Sequence, residues 1–376
     1  MSKVILPPAT IGIIGGGQLG RMMAISAKQM GYKIAVLEPL INGPLAQIAD
    51  IEINAAYDDE AALTNLLSVS DVVTYEFENI NSEMVKKLAS LGYLPQGERP
   101  LAITQHRYTE KSAINNCGFK TAPFAYVESA AQLRQAMVEI GYPAILKTVS
   151  GGYDGKGQWK LNSIADLDHV EDVFTSATCI VEGFVPFDKE ISVIVTRGTN
   201  GQIENFPVVE NIHENHILHL SVSPANISVE LKEKAENIAK QLIEKLAFVG
   251  TLAIEMFVVG EDVIINELAP RPHNSGHLTI DACNISQFEQ HIRSICGLPL
   301  IKPELKTSAM MVNLLGQHVE YTLEKWKQPA FSEAKLHLYG KEELRANRKV
   351  GHITFTNNDA NKLKDNVNLF LKQFGE

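Results

Sequence analysis

The sequence predicts a protein of mixed α/β and α+β architecture, built from more than one domain. Over the first hundred residues, short apolar runs alternate with amphipathic stretches, a pattern typical of a parallel sheet covered by helices. Further along, a glycine-dense loop joins two apolar runs near residue 150, and two consecutive apolar runs near residue 260 carry acidic residues. Because a chain of 376 residues is longer than one hydrophobic core usually supports, we expect two or three domains.

The charge and the cysteines exclude several classes of function. The chain carries 34 basic and 44 acidic residues, a net charge of -10, which argues against nucleic-acid and membrane-surface partners. Its four cysteines are scattered, without a CxxC pair, and are typical of reduced thiols. Neither a signal peptide nor an apolar run of ~18 residues is visible, so we expect a cytoplasmic protein.

A glycine motif follows the first predicted strand, Thr10–Ile14, and precedes a helix predicted over residues 18–30. The next predicted strand, Lys33–Leu37, is followed by Glu38, about where a ribose-binding acid would lie. Since glycines let any helix N-terminus approach a phosphate, the motif indicates a dinucleotide, another phosphorylated ligand or only a tight turn. The motif reads Gly15-Gly16-Gly17-Gln18-Leu19-Gly20.

The middle of the chain predicts a smaller α+β unit and then a longer one. The elements of the smaller unit are a helix near residue 111, a strand after residue 123, a helix over 131–140, and strands over 144–149 and 158–161. Because these last two strands flank the glycine loop, they predict a hairpin flap. The elements after it are a strand over 190–196, a helix over 229–246, strands over 251–259 and 263–268, and short strands near 308–314 and 352–355.

The glycine loop between these strands is not a Walker A loop. That motif needs a Ser or Thr after its lysine and then a helix, whereas Gly157 follows Lys156 and a strand comes next. A mobile glycine-rich hairpin can still cover a triphosphate and donate backbone N–H groups and lysines. Lys147 on the preceding strand is predicted either to reach the phosphates or to extend into solvent. Tyr153 and Asp154 at the loop tip are predicted to meet substrate, with a solvated turn as the alternative.

Two acidic residues are predicted to face each other across a β-hairpin. If the turn centres on Glu261, Glu255 lies directly opposite Glu267. Like charges between buried strands destabilise the fold unless a cation neutralises them, and Mg²⁺ prefers carboxylate and phosphate oxygens. The pair therefore predicts a magnesium site, with a solvated pair at a sheet edge as the alternative. The other residues of this face would be Phe257, Val259, Val263 and Ile265.

A polar loop, residues 271–277, follows this hairpin at a strand end, where α/β proteins commonly bind ligands. Its His273 and His277 have the spacing of a helical zinc pair, but a flanking proline and an intervening glycine disfavour a helix. A second set with metal-like spacing comprises His213, His216 and His219. For both sets an ordinary polar role is favoured over zinc.

Taken together, these segments resemble the ATP-grasp superfamily and, within it, the family of 5-(carboxyamino)imidazole ribonucleotide synthases. The resemblance covers residues 12–352, most of the chain. Its specific marks are residues 14–22, 95–99, 151–158, 266–277 and 348–352. The resemblance implies an ATP-grasp fold with an N-terminal Rossmann-like parallel-sheet domain (1–104), a mobile lid domain (105–186), a catalytic domain (187–298) and a small C-terminal domain (299–376) that completes the substrate pocket.

The resemblance also implies roles for individual residues. ATP-binding residues would be Arg107, Lys147, Gly152, Tyr153, Asp154, Gly155, Lys156, Gly157, Gln158, Glu182, Gly183, Phe184, Val185, Glu190, His213, Asn266 and Glu267. Substrate-binding residues would be Gly17, Gln18, Leu19, Glu76, Tyr153, Arg271, His273, Asn274, Lys341 and Arg348. The catalytic set would be Tyr153, Asp154, Lys156 and Arg271. Glu255 and Glu267 would hold Mg²⁺, with Mn²⁺ as the alternative ion.

The implied activity is that of a homodimeric, ATP-dependent carbon–nitrogen ligase of de novo purine biosynthesis. It would carboxylate 5-aminoimidazole ribonucleotide (AIR) with bicarbonate, through carboxyphosphate, and release ADP and phosphate. Three alternatives stay open: another ATP-grasp ligase of the glycinamide ribonucleotide transformylase or biotin carboxylase type, a nicotinamide dehydrogenase, and a non-catalytic nucleotide sensor. The sequence leaves open whether carboxyphosphate or released CO₂ reacts, and which group takes the amine proton, with Asp154 as the candidate.

Overall fold

The computed structural model describes residues 3–152, 156–372 and 374. The strands are β1 (Thr10–Ile14), β2 (Lys33–Leu37), β3 (Ile51–Ile53), β4 (Val72–Tyr75), β5 (Phe124–Val127), β6 (Ala144–Thr148), β7 (Gln158–Leu161), β8 (Cys179–Gly183), β9 (Lys189–Arg197), β10 (Ile203–Asn205), β11 (Val209–Glu214), β12 (Ile217–Ser223), β13 (Gly250–Val259), β14 (Asp262–Ala269), β15 (Ala309–Leu315), β16 (Lys335–Leu338) and β17 (Lys349–Thr356).

The helices alternate with strands in the first part of the chain, whereas over the described residues β6 to β12 follow one another without an α-helix. The helices are α1 (Gln18–Gln29), α2 (Glu60–Val69), α3 (Ser82–Leu91), α4 (Arg99–Thr104), α5 (Arg107–Asn116), α6 (Ala130–Ile140), α7 (Val229–Leu246), α8 (Thr279–Ala282), α9 (Gln287–Ile295), α10 (Val319–Trp326) and α11 (Ala360–Leu371). Among the described helices, none combines the length and the apolar character needed to cross a bilayer.

The first four strands form a parallel sheet, the N-terminal sheet, in the order β3-β2-β1-β4. Helix α1 and the distant helix α9 cover one face, in a core that includes Met23, Ile34 and Phe288. Helices α2 and α3 cover the other face, around Leu37 and Leu66. Because both faces are buried, the strands are almost continuously apolar. The predicted parallel sheet with helices on both faces is confirmed.

A second sheet, the lid sheet, is antiparallel and has the order β5-β8-β6-β7. Helix α6 and the 3₁₀ segment Ile164–Thr175 cover one of its faces, around Leu146. Strands β6 and β7 form the predicted hairpin, with Lys147 opposite Gln158. The glycine loop therefore connects two neighbouring antiparallel strands, as the sequence predicted.

The largest sheet, the central sheet, is antiparallel with the order β14-β13-β9-β11-β12-β15-β17-β16, and β10 pairs with β9. Helix α7 packs on the β9, β13 and β14 end of one face. The C-terminal strands join this sheet because β15 pairs with β12, for example Val312 with Leu220. The sequence predicted two strands in this segment but not their continuity with the central sheet, since that pairing joins residues about ninety positions apart.

The hairpin of β13 and β14 brings Glu255 opposite Glu267, as predicted, but its turn and its register differ from the predicted ones. Its turn is the pair Gly260 and Glu261, and is not centred on Glu261 as predicted. Gly260 has φ +58°, as the first of the two central residues of a type II′ turn requires. Such a turn alone would pair Glu255 with Asn266. A β-bulge at Asn266 shifts the register by one residue and restores the pairing of the glutamates.

The two-residue turn also changes which residues share the face of the two glutamates, because the bulge restores the predicted register only beyond Ile265. Val263 pairs with Val258 and Ile265 with Met256, and all four lie in the core beneath α7. The prediction that Val263 and Ile265 lie beside the glutamates is therefore wrong. Phe257 does lie on the glutamate face and is half-buried, so this face borders a cleft.

Candidate active site

A cleft lies between the lid sheet and the central sheet. It consists of two adjoining cavities of about 360 Å³ and about 790 Å³. The residues that line both are Arg107, Gln158, Glu190, His213, His216, Asn266 and Glu267. Because the two cavities share this wall, one extended ligand can occupy both.

Of the two opposed glutamates, Glu267 lines both cavities and Glu255 lines the smaller one. The side chain of Glu255 is 19% exposed and that of Glu267 is 42% exposed. Burial, and next the like charge of Glu267, raise the pKa of Glu255. Two carboxylates that face each other in this way offer hard oxygen donors to a cation, which would relieve their repulsion.

A chain of hydrogen bonds fixes the orientation of His273 beside Glu255. The Ser192 hydroxyl donates to the Ser275 hydroxyl at 2.7 Å, and Ser275 Oγ lies 2.9 Å from His273 Nδ1. The backbone N–H of Ser275 also points at Nδ1, at 3.4 Å. Nδ1 therefore accepts, and Nε2 donates to Glu255 Oε1 at 3.2 Å. Burial, then the charge of Arg271, hold the pKa of His273 well below its usual value, so the ring is neutral.

Two lysines share one carboxylate on the lid side of the cleft. Lys147 Nζ lies 3.0 Å, and Lys111 Nζ 3.2 Å, from Glu182 Oε2. Burial raises the pKa of Glu182, but the two ammonium groups outweigh it, so the pKa lies below the usual range. Lys147 thus lines the cleft and does not extend into solvent, and its contact with the phosphates stays a prediction.

Arg107, the first residue of α5, connects the flap to the glutamates. Its guanidinium lies 3.5 Å from Glu267 Oε2 and donates to the carbonyl of Gly152 at 3.4 Å. Its backbone N–H donates to the carbonyl of Val149 at 2.9 Å. The positively charged guanidinium of Arg107 therefore lies between the base of the glycine loop and the carboxylate pair.

The larger cavity has an aromatic wall and a polar end. Phe187 and Phe257 stack with their ring centroids 4.6 Å apart and their planes at 5°. At the polar end, His213 Nδ1 is hydrogen-bonded to Glu190 Oε2. Burial disfavours the charged form of His213, but the bond to Glu190 outweighs it and raises the pKa. This cavity suits a flat base joined to a sugar.

The glycine motif of the N-terminal sheet is bound by the protein's own carboxylates. Glu76 is 7% exposed and accepts hydrogen bonds from the backbone N–H groups of Gly17 and Gly20, the latter at 2.6 Å. Glu38 accepts from the N–H of Gly16 at 2.6 Å and from the Tyr57 hydroxyl at 2.6 Å. A pyrophosphate would have to compete with these two anions for its donors. The dinucleotide interpretation is therefore wrong.

The smaller cavity carries polar groups from the loop after β14. Arg271 Nη2 lies 2.8 Å from Glu78 Oε1. Asn274 has both side-chain polar atoms buried and without a hydrogen-bond partner in the described residues. Since buried polar atoms normally have partners, Asn274 indicates a ligand site.

Two basic side chains, those of Lys341 and Arg348, lie outside the lining of this cavity. Lys341 Nζ donates to the carbonyl of Lys349 at 2.7 Å. Burial, then the charge of Arg348, lower the pKa of Lys341 to about 8, while Glu76 acts in the opposite direction. Glu76 also interacts electrostatically with Arg271, so the basic pair and the smaller cavity belong to one neighbourhood.

Most of the predicted site residues meet in the cleft. Those that line one or both cavities are Arg107, Lys147, Gly152, Gln158, Glu182, Gly183, Phe184, Val185, Glu190, His213, Glu255, Asn266, Glu267, Arg271, His273 and Asn274. Those outside both linings are Gly17, Gln18, Leu19, Glu76, Lys156, Gly157, Lys341 and Arg348. Leu19 packs in the core against the N-terminal sheet. Tyr153, Asp154 and Gly155 lie outside the described residues.

Sequence reasoning missed several charged groups of the cleft. These are Glu78, Glu110, Lys111 and Lys349. Helix α5 is where these groups could have been noticed, because Glu110 and Lys111 lie on its buried side, as Ile114 does. Charged residues on the buried side of a helix are unusual unless they have buried partners.

His273 and His277, whose spacing resembles that of a zinc pair, belong to no group of three or more possible metal ligands within the described residues. His277 is buried, with Nδ1 3.3 Å from Gln287 Nε2. Within the part of the chain that the structure describes, the metal-like group is Asp281, His337 and His352, with ligand atoms within 4.8 Å of one another. The two rings of this group stack at 13° with centroids 4.5 Å apart, so their in-plane lone pairs do not converge on one ion.

Three segments of the chain match known domain families. Residues 8–105 match the ribonucleotide synthetase preATP-grasp domain, 112–288 the ATP-grasp domain, and 309–366 the phosphoribosylaminoimidazole carboxylase C-terminal domain. The N5-carboxyaminoimidazole ribonucleotide synthase of Bacillus subtilis is 51% identical over 357 residues, which are 94% of this chain and 93% of the relative. The chain belongs to the N5-carboxyaminoimidazole ribonucleotide synthase family.

Solved structures of this family share the fold along its whole length. An N5-carboxyaminoimidazole ribonucleotide synthetase in complex with ADP is 52% identical, with a TM-score of 0.95 and 98% of both chains covered. The Aspergillus clavatus synthase in complex with ADP and AIR is 28% identical, with a TM-score of 0.90, and 97% of this chain and 98% of that chain are covered.

Membership of the N5-carboxyaminoimidazole ribonucleotide synthase family settles several predictions. The ATP-grasp fold, with its N-terminal parallel-sheet domain and small C-terminal domain, is confirmed. The prediction of an ATP-dependent ligase that carboxylates AIR in purine biosynthesis is also confirmed. The alternatives outside this family are therefore wrong.

Proposed function

We propose that this synthase carboxylates AIR with bicarbonate, with Mg²⁺ as its cofactor ion and the cleft between the lid and central sheets as its active site. The observation that carries the proposal is the pairing of Glu255 with Glu267 where the two cavities meet. Cationic groups approach this pair from both sides: Lys147 and Arg107 from the lid side, Arg271 from the side of the smaller cavity. Such a site can neutralise a triphosphate and a second anion together.

The larger cavity fits ATP. The stacked pair of Phe187 and Phe257 offers a flat apolar surface to adenine, and the backbone of residues 183–185 lines the same cavity. Glu190, bonded to His213, provides a carboxylate for the ribose hydroxyls. Lys147 and Glu267 line the same cavity, in which the phosphates would extend.

The carboxylate pair fits a hard divalent ion. Oxygen donors on facing strands match the preference of Mg²⁺, and Mn²⁺ shares it. Burial, and next the charge of Glu267, raise the pKa of Glu255, so a cation beside the pair would favour its charged form. When bound, the ion supplies neutralisation of the charge that develops on the transferred phosphoryl group.

The proposed reaction has two steps. A bicarbonate oxygen attacks the γ-phosphorus, the bond to the β-phosphate oxygen breaks, and ADP leaves carboxyphosphate behind. The exocyclic amine of AIR then attacks the carbon, the bond to the phosphate oxygen breaks, and phosphate and one amine proton leave. Arg271, oriented by Glu78, stabilises negative charge in the smaller cavity. Asp154 remains the candidate acceptor of the proton.

The AIR site spans the smaller cavity and the basic pair beyond it. Asn274 and His273 line the cavity, and the unpartnered amide of Asn274 can bond the imidazole or the ribose. Lys341 and Arg348 would bind the ribonucleotide phosphate, and Glu76, which interacts electrostatically with both Lys341 and Arg271, the ribose hydroxyls. In the same way we propose Gln18 and the backbone of Gly17 and Leu19 as part of the pocket wall.

Closure of the flap completes the site in this proposal. Gly152 and Gln158 already line the cleft, and Lys156 follows at the end of the loop. Closure of the flap over the phosphates would keep water from carboxyphosphate. Tyr153 is expected to contact the substrate by the resemblance to the family. Four domains with boundaries at 104, 186 and 298, and a homodimeric assembly, complete the proposal by the resemblance to the family.

The test is a coupled assay of ADP release. We expect ADP only when ATP, AIR, bicarbonate and Mg²⁺ are all present, and loss of release when AIR or bicarbonate is left out. Rapid ADP release without AIR, or release that depends on formate, would contradict the proposed reaction. Chelation of divalent ions tests the metal separately.

A further inference from the structure

Two adjacent residues of helix α5 bind the backbone on both sides of Glu267. Lys111 Nζ donates to the carbonyl of Asn266 at 3.1 Å, and the N–H of Leu268 donates to Glu110 Oε1 at 2.6 Å. Both peptide groups belong to the β-bulge that places Glu267 opposite Glu255. Because β14 is an edge strand of the central sheet and the bulge interrupts its ladder with β13, these two side chains supply bonds that the sheet does not.

The same lysine is the second partner of the lid carboxylate. Lys111 is 2% exposed at its side chain and lies 3.2 Å from Glu182 Oε2, which also binds Lys147. If Lys147 turned to a phosphate while Lys111 were neutral, Glu182 would be left as a buried, unpaired charge. With Lys111 present, its ion pair with Glu182 remains, and Lys147 can leave Glu182 at a small cost in electrostatic free energy.

We propose that Glu110 and Lys111 are positioning residues that hold Glu267 in the bulge and keep Glu182 paired when Lys147 engages ATP. The inference rests on the proposed metal site. Glu110 borders the smaller cavity, but its side chain is buried and bonded to the backbone, so neither residue is assigned a substrate contact. Helix α5 thereby links the lid sheet to the metal hairpin, and its first residue, Arg107, contacts Glu267 directly.

The main test is Lys111→Met, which keeps the length of the side chain and removes its charge and donors. We expect the Mg²⁺ concentration for half-maximal ADP release to rise by about 10–100-fold, as for groups that orient metal ligands. The KM for AIR should stay within about threefold, because the AIR side of the cleft has separate contacts. The matched control is Lys120→Met, since Lys120 binds Asp262 at the far end of the same hairpin, at 2.8 Å, and is 73% exposed at its side chain.

Two substitutions of Glu110 keep the inference testable if Lys111→Met does not fold. Glu110→Gln retains an oxygen that accepts from the N–H of Leu268, so its magnesium requirement should match the wild type. Glu110→Leu removes the acceptor and should show the same 10–100-fold defect as Lys111→Met, to order of magnitude. Circular dichroism and thermal unfolding are measured for each variant.

Specific outcomes would overturn the inference. A folded Lys111→Met or Glu110→Leu enzyme with a wild-type magnesium requirement would show that these residues contribute stability only. Equal defects in Glu110→Gln and Glu110→Leu would show that the bond to Leu268 is not what matters. If the wild-type enzyme itself released ADP without any divalent ion, the proposed metal site, and not this inference alone, would be wrong.

Discussion

Replacing Glu255 with Gln should separate the stability of the hairpin from its function. Glutamine has almost the same shape and can still accept the hydrogen bond from His273 Nε2, which lies 3.2 Å from Glu255 Oε1. It removes one of the two opposed negative charges. We therefore expect a folded protein that is at least as stable as the wild type and nearly inactive.

The size of the stability gain follows from the geometry. Opposed residues in a hairpin have Cβ atoms ~5 Å apart, where two unit charges repel by roughly 3 kcal/mol at an effective dielectric constant of ~20. Glu267 is 42% exposed and Arg107 lies 3.5 Å from it, so solvent and counter-charge reduce this repulsion. A gain of about 1 kcal/mol remains, or a rise in Tm of roughly 1–2 °C for a chain of this length.

The stability gain of Glu255→Gln over the wild type should increase with pH. Because the pKa of Glu255 is raised from its usual 4.5, the folded state binds a proton more readily than the unfolded state. Stability is therefore lost as the pH rises above the ordinary carboxyl range, and Glu255→Gln recovers it. The difference in Tm between variant and wild type should be larger at about pH 9 than at about pH 6.

The assay combines thermal unfolding with ADP release in the presence of Mg²⁺, AIR and bicarbonate. Loss of a metal ligand removes several kcal/mol of transition-state stabilisation, so turnover should fall by at least about a hundredfold. Mg²⁺ with ADP should stabilise the wild type but not the variant. A Tm lowered by several degrees, with loss of the native circular dichroism spectrum, would show that Glu255 is a structural residue and refute the reasoning.

Three further predictions concern the two ends of the cleft. Arg271→Lys cannot reproduce the planar contact with Glu78 and should lower kcat by about 10–100-fold with the fold intact, measured by ADP release. Because bonding to Glu190 raises the pKa of His213, the stability lost in His213→Gln should be largest below about pH 6.5 and decrease as the pH rises through the raised pKa, measured by denaturant unfolding. The pKa of Lys341 is lowered to about 8, so KM for AIR should rise above that pH in the wild type and be high and pH-independent in Lys341→Met.

The sequence predicted the elements that depend on local pattern. Alternating apolar runs gave the N-terminal sheet, the flap hairpin and the helix Val229–Leu246 with its observed bounds. The opposition of Glu255 and Glu267 was also predicted, although the assumed turn was wrong. The two-residue turn and the bulge at Asn266 each shift the register by one, and their effects cancel at the glutamates. A bulge leaves no clear mark in a single sequence, because it depends on contacts from another element.

The contacts that support the site could not be predicted because they join distant parts of the chain. Lys111 meets the carbonyl of Asn266 across 155 positions, and α9 covers the N-terminal sheet that begins more than 250 residues earlier. Glu76 was predicted as a substrate residue, but nothing in the sequence indicated that its carboxylate would bind the N–H groups of Gly17 and Gly20. Local spacing identifies which residue types are present, whereas tertiary packing decides which donors remain for a ligand.

The central claim is that two opposed glutamates hold a divalent ion beneath a closing flap. Crystals of the enzyme grown with ADP and Mn²⁺, which scatters anomalously, test it most directly. We expect an anomalous peak about 2.0–2.3 Å from a carboxylate oxygen of both Glu255 and Glu267 and next to a phosphate oxygen. Bound ADP with no peak between these carboxylates, or with both side chains turned into solvent, would contradict the account.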